Sequence, residues 1–316
     1  MTFGNTYNTS LAFVDLPPNL HCLTFGDAYN RSIQEVPWPI NLQQLTLGFG
    51  FNRDIRMVRF PQGLQQLKFG ACFNRPLENI PDETHFTFPD GLKYLEFGES
   101  FNQALGKVIL PSSLQQLTFG DFFNQDMEKV LLPSGLQMLT FGVNFQQSLE
   151  LVALPSVLVM LTCHNQSMAK VALPSGLQTL RATTANVTLP SGLLCLISES
   201  MHANIALPSS LIRLSFGNTF DARVDSISLP STLRQLSFGH RFNQTLEYCS
   251  LPCNLVTLVL GHSFNQSLEL VALPSGLQCL VIGDSFQHSM EKVALPISIS
   301  WLSFGLFGPN AGFDVY

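Results

Sequence analysis

The chain has 316 residues, 46% of them hydrophobic and only 12% charged, with a net charge of −6. A charged fraction about half the usual ~25% implies a surface of neutral amides and hydroxyls, and no basic block is present to steer nucleic acid or anionic lipid. No apolar run reaches the ~18 residues of a membrane span and no charged-then-apolar leader opens the chain, so a soluble, intracellular protein is expected. Cys22, Cys72, Cys163, Cys195, Cys249, Cys253 and Cys279 form an odd set without a compact disulfide framework and read as reduced thiols.

Self-similarity organises the rest. Prolines recur in step from Pro17 to Pro296, and nine of the thirteen gaps between them are 22 residues. At the N-terminus Met1 occupies the slot that Leu23 and Leu45 fill in the next units, so the chain is expected to begin in mid-coil with its first edge open. Asn8, Asn30, Asn52, Asn74, Asn102 and Asn124 then fall at one position, which returns later as Asn243 and Asn265. Amides stacked in this way are expected to bridge backbone groups of adjacent coils. The six Asn-x-Ser/Thr sequons, at Asn8, Asn30, Asn165, Asn186, Asn243 and Asn265, are therefore read as a product of the repeat and not as glycosylation sites.

The unit is plainest between Leu110 and Val130. Alternation in Leu117-Thr118-Phe119 predicts a short strand with Leu117 and Phe119 inward and Gln116 and Thr118 outward. Gly120 turns the chain, Phe123, Met127, Val130 and Leu132 return to the interior, and Pro133 closes the coil. A coil of this size cannot bury its own apolar face, so stability must come from stacking, at about 4.8 Å per coil. The reading is a mainly β solenoid of about fourteen coils with a 22-residue period and little helix, continuous over 1–316. Regular coils occupy 1–154, shortened coils 155–207, regular coils 208–305, and a tail 306–316 leaves the repeat.

The pattern Leu-x-x-Leu-x-Phe-Gly-x-x-Phe-Asn-Gln followed by Leu-Pro-Ser-Gly-Leu, as in Leu136 to Gln147 and Leu154, resembles the FNIP repeat, a leucine-rich-repeat relative abundant in social amoebae and other protists. The resemblance covers nearly the whole chain and implies a leucine-rich-repeat-like β-solenoid. Proteins of this kind often carry an F-box or kinase module beside the array, which implies substrate receptors or adaptors; no such module is recognisable here. A proline after Phe-Asn-Gln, frequent in that family, has its counterpart here only in Asn74-Arg75-Pro76.

Two irregularities interrupt the period. The gap from Pro61 to Pro89 is 28 residues, with the extra ones near 81–86, and this predicts a bulged loop in which Asp82, Glu83 and His85 could meet a partner or a cation. Across Pro155, Pro174, Pro190 and Pro208 the gaps shrink to 19, 16 and 18. The Phe-Gly-x-x-Phe-Asn segment is missing there, predicting a notch on one edge that either seats a partner's loop or marks eroded repeats.

Catalytic signatures are absent: there is no Gly-x-Ser-x-Gly, His-Glu-x-x-His, Walker loop or Cys-x-x-Cys. No enzyme activity, cofactor or small-molecule substrate is expected. His240, His262 and Asp284 each follow the turn glycine at a spacing of 22 and should form one column. Two imidazoles and a carboxylate could hold a transition metal, but a solvated edge is the preferred reading and no metal site is assigned. The outward strand positions grow more apolar along the chain, and a connected apolar stripe marks either an interface or strands covered by the chain's own tail. Met138, Met160, Arg181, Cys195, Ile197, Arg213, Val259, Val281 and Trp301 are the candidate partner-binding residues, together with Asp82, Glu83 and His85. The expected function is a non-catalytic scaffold, or a subunit of an assembly, that holds a protein partner. The alternatives are a spacer making contacts through its ends and a substrate-recognition adaptor.

Overall fold

A computed structural model describes residues 1–78, 86–184, 187–198 and 205–305. Fourteen short β-strands and no helix are found among them. By backbone proximity the chain divides into two compact units, Met1–Gln166 and Ser167–Tyr316.

In the first unit the strands are β1 (Cys22–Thr24), β2 (Gln44–Thr46), β3 (Gln66–Lys68), β4 (Tyr94–Glu96), β5 (Gln116–Thr118), β6 (Met138–Thr140) and β7 (Met160–Ser167). Each pairs in parallel with the next, the strand leucines in register from Leu23 through Leu45, Leu67, Leu95, Leu117 and Leu139 to Leu161. Residues ahead of β1 join the ladder: Phe3 N–H donates to Thr24 O, and Thr24 N–H to Met1 O. The second unit contains β8 (Thr179–Thr183), β9 (Cys195–Ser198), β10 (Arg213–Phe216), β11 (Gln235–Ser237), β12 (Thr257–Val259), β13 (Cys279–Ile282) and β14 (Trp301–Phe304), again parallel and in chain order.

A parallel connection normally needs a helix to carry the chain back. Here three tight turns do so. In the coil around β5, Leu114 N–H donates to Pro111 O, Phe123 N–H to Gly120 O, and Val130 N–H to Met127 O, and the same triplet recurs coil after coil. Each turn ends on a buried apolar side chain, so the period-22 pattern is three corners and one strand read around a closed loop. Leu117, Phe119, Phe123, Met127 and Val130 are buried as the alternation predicts. Leu132 is only half-buried, because it sits at the rim of the Pro133 corner, and Pro133 is the residue enclosed there.

The glycine after the strand of a regular coil opens a turn as the sequence suggests, Phe123 N–H donating to Gly120 O, but its identity has a further reason. None of the recurring ones has positive φ; only Gly305 does, at 118°. At Gly48, Gly70, Gly98, Gly120, Gly239 and Gly261 a Cβ would overlap the carbonyl oxygen of the glycine one coil earlier. Close approach between coils, and not turn geometry, excludes every other residue.

Two aromatic columns fill the interior. Phe97, Phe119 and Phe141 stack on one another at 5.4–5.6 Å between ring centres, and each faces a second ring of its own coil, Phe101, Phe123 and Phe145, at 3.9–4.0 Å. The second unit repeats the arrangement from Phe216 and Phe220 onward. In the shortened coils the place of the first ring is taken by Cys163 in the first unit and by Ala182 and Ser198 in the second, all fully buried. The strand and the Pro190 corner persist there, and the buried hydroxyls of Thr184 and Ser198 satisfy each other at 2.6 Å. The expected bulge at Asp82, Glu83 and His85 lies outside the described residues, as do parts of the expected notch and the tail. Phe86 is described: it is buried in the column of Val58 and Val108 and stands edge-on to Phe88 at 4.9 Å, so it belongs to the coil and not to the insertion.

Candidate functional site

The asparagine column is structural. Each Asn Oδ1 accepts the backbone N–H of its counterpart one coil later: Asn30 to Asn8 at 2.9 Å, Asn52 to Asn30 at 3.0 Å, Asn124 to Asn102 at 2.9 Å, and Asn265 to Asn243 at 2.8 Å. Asn102 reaches Asn74 at 3.0 Å despite a separation of 28 residues, so the insertion leaves the stack intact. Asp221 takes the same role for Asn243 at 2.8 Å.

Parallel strands with period-2 alternation present every second side chain on one face, and the candidate residues lie in the two columns of that face. In the first unit the columns read Gln44, Gln66, Tyr94, Gln116, Met138, Met160 and Thr46, Lys68, Glu96, Thr118, Thr140, Thr162. Met138 and Met160 stand side by side in register and are half-exposed. Lys68 and Glu96 are ion-paired across adjacent strands at 2.6 Å, with both side chains more than two-fifths exposed, where such a pair contributes about 1 kcal/mol or less. A shallow groove of about 530 Å³ follows the ends of β1 to β5, lined by Lys68, Glu96, Glu99, Asp121 and the exposed Phe49.

In the second unit the face carries Arg181, Cys195, Ile197, Arg213, Gln235, Val259, Cys279 and Trp301. Ile197 and Val259 are half-exposed, Arg213 is exposed and Trp301 is 38% exposed. Val281 is in the outward column but only 7% exposed, because Val259 and Ser303 flank it on the paired strands; a partner could touch little of it. One feature the sequence did not signal is Gln235 Oε1, which is enclosed between the strands of Arg213 and Thr257 without a hydrogen-bond partner. Amide columns look alike in sequence whether their ends are satisfied or not.

The histidine column forms as the spacing predicts. The rings of His240 and His262 stack 4.5 Å apart, and His262 Nδ1 lies 3.1 Å from Asp284 Oδ2. Among the described residues no three His, Cys, Asp or Glu groups gather so as to hold a metal ion. All seven cysteines are free. Burial pushes the Cys163 thiol far above its ordinary range and, with Asp225 nearby, that of Cys249 up to about 11, so both are protonated and poor nucleophiles at neutral pH.

The sequence profile of the FNIP Repeat family matches residues 84–122, 123–162, 204–241, 242–278 and 264–307, more than half of the chain. The chain belongs to the FNIP repeat family. Its FNIP coils are similar in structure to CroV588, described as a novel circular LRR protein, with 31% identity and a TM-score of 0.62 over 96% of this chain and 49% of CroV588. The FNIP chain thus spans about half the length of that protein. YopM from Yersinia enterocolitica WA-314 aligns with 92% of this chain and 83% of its own at 20% identity and a TM-score of 0.44. No curated protein matches. Among the described residues no helix is long and apolar enough to cross a membrane.

Proposed function

We propose that this FNIP-repeat chain is a non-catalytic scaffold, or a subunit of a larger assembly, that holds a protein partner on its strand face. The observation that carries the reading is the presence of exposed apolar side chains at outward strand positions in each unit: half-exposed Met138 and Met160 on paired strands in the first, and half-exposed Ile197 and Val259 with Trp301, among arginines, a glutamine and serines, in the second. Surface apolar side chains such as the paired Met138 and Met160 are what a partner desolvates, and tryptophan and arginine are the side chains that most often anchor such contacts. The leucine-rich-repeat-like fold supports this, since it is typical of interaction scaffolds.

Contact through a terminal coil is the second reading, and one observation favours it. Leu302 and Phe304 of β14 are 37% and 54% exposed, whereas their counterparts Leu280 and Ile282 are fully buried. That the similar CroV588 is circular fits an array in which such edges meet other coils.

Native mass measurement on tagged chain recovered from cells separates the two. The expected result is a particle well above the 34.9 kDa monomer that falls to monomer mass when Met138, Ile197 and Trp301 are changed to serine. A particle that survives those changes and dissociates with Leu302→Glu would sink the strand-face reading.

A further inference from the structure

One column of the coil changes its side chain from unit to unit while always donating to the coil before it. Two residues after the second aromatic ring stand Gln103, Gln125 and Gln147, whose Nε2 groups donate to Asn74, Asn102 and Asn124 Oδ1 at 2.8–3.0 Å. Gln244 and Gln266 do the same to Asp221 and Asn243 at 3.0–3.1 Å. In three successive earlier coils the place is taken by Arg31, Arg53 and Arg75, whose Nε groups donate to the backbone oxygens of Asn8, Asn30 and Asn52 at 2.8, 2.8 and 3.0 Å. Five glutamines show that the fold accommodates a neutral side chain here, bonded to the side-chain oxygen of the preceding coil instead of its backbone oxygen. The charges answer to something else.

All three arginines are exposed, and none is ion-paired with a carboxylate among the described residues, although Arg75 is near enough to Asp54 to help lower its carboxyl. The nearby acid, Asp54, is occupied by Arg56 through three contacts at 2.6–3.1 Å. Ser32, Gln34, Asn52, Arg53, Asp54 and Arg75 line an open groove of about 330 Å³ along the column. Holding Nε against the backbone fixes the plane of each guanidinium, so little side-chain entropy remains to be lost when its two Nη groups meet an anion.

The spacing narrows the ligand. Coils stack at about 4.8 Å. Carboxylates on successive turns of an α-helix recur every ~5.4 Å, whereas same-face side chains of an extended peptide recur at about 6.8 Å. A net charge of −6 and a single row of arginines disfavour a nucleic-acid polyanion. We infer that the Arg31–Arg53–Arg75 column docks an acidic helical segment of a protein partner, with Glu or Asp at positions i, i+4 and i+7 along the row. This surface uses a different column from the strand face, and its test does not depend on that reading.

The experiment compares the full chain with the variant Arg31→Gln/Arg53→Gln/Arg75→Gln, which installs the residue already present at Gln103, Gln125 and Gln147 and should fold normally by circular dichroism. The probe is a fluorescent alanine-based helical peptide with glutamates at i, i+4 and i+7, titrated at low ionic strength. The expected result is affinity about tenfold weaker for the variant, a wild-type affinity that falls as salt rises, and no binding of the peptide with glutamine in place of glutamate. Met138→Ser/Ile197→Ser should bind the peptide as the wild type does. Equal binding by the arginine variant, or equal binding of the glutamine peptide, would overturn the proposal. So would single-stranded oligothymidine that binds more tightly than the peptide and loses its binding in the same variant, which would make the column a nucleic-acid contact.

Discussion

Asn124 shows how one side chain ties three groups together. Its Oδ1 accepts from Gln146 N–H at 2.9 Å and from Gln147 Nε2 at 3.0 Å. Removing a shared acceptor in a partly buried place leaves donors unpaired, so Asn124→Ala should cost about 1–3 kcal/mol, read as a lower urea midpoint. Asn124→Asp should cost much less, because Asp221 already accepts from Asn243 N–H and Gln244 Nε2 in an equivalent place. Equal losses from the two substitutions would show that the column is held by something other than its acceptor oxygen. The role of this asparagine was legible in the sequence because the same residue returns at one place in the coil while the residue after it varies, arginine in some coils and glutamine in others. Gln235 was not legible, since the unpartnered state of its oxygen depends on neighbours that no period announces.

At the scale of the coil, the three turns explain why 22 residues suffice without a helix. Because each coil meets its neighbours through the same glycine, asparagine and leucine columns, whole coils are interchangeable in a way that parts of coils are not. Deleting residues 112–133 joins Pro111 to Ser134 and restores the Pro-Ser-Gly-Leu corner, so the product should fold with its parallel ladder closed and with only a modest loss of thermal stability. Deleting 112–122 alone should abolish the cooperative transition, because the following coil would present polar positions to the aromatic columns. Circular dichroism and melting of the two deletions check this. The sequence predicted strand, corner and core at this scale from period alone. It showed that the chain turns at the glycine but not why only glycine fits, because the approach of one backbone to another leaves no mark in a single coil.

Within each unit the regular coils put an aromatic or large aliphatic side chain, Leu47, Leu260 and Ile282 included, where the shortened coils have small or polar groups. Phenylalanine burial contributes more apolar area than Cys163, Ala182 or Ser198, so the shortened coils are held by less. Amides of β8 and β9 should therefore exchange with deuterium faster than those of β11 and β12 in the same unit, whose coils carry Phe238, Phe242 and Phe264. Uniform protection across these strands would mean that the Thr184–Ser198 bond and the backbone ladder compensate fully.

The asparagine column also has a direction. Every bond runs from an amide N–H of the later coil to a side-chain oxygen of the earlier one. At this corner a coil just completed thus offers acceptors to the segment synthesised next, while at the strand its N–H groups point forward, as Phe119 N–H does to Thr140 O, so assembly can follow the order of translation, each finished turn acting as the mould for its successor.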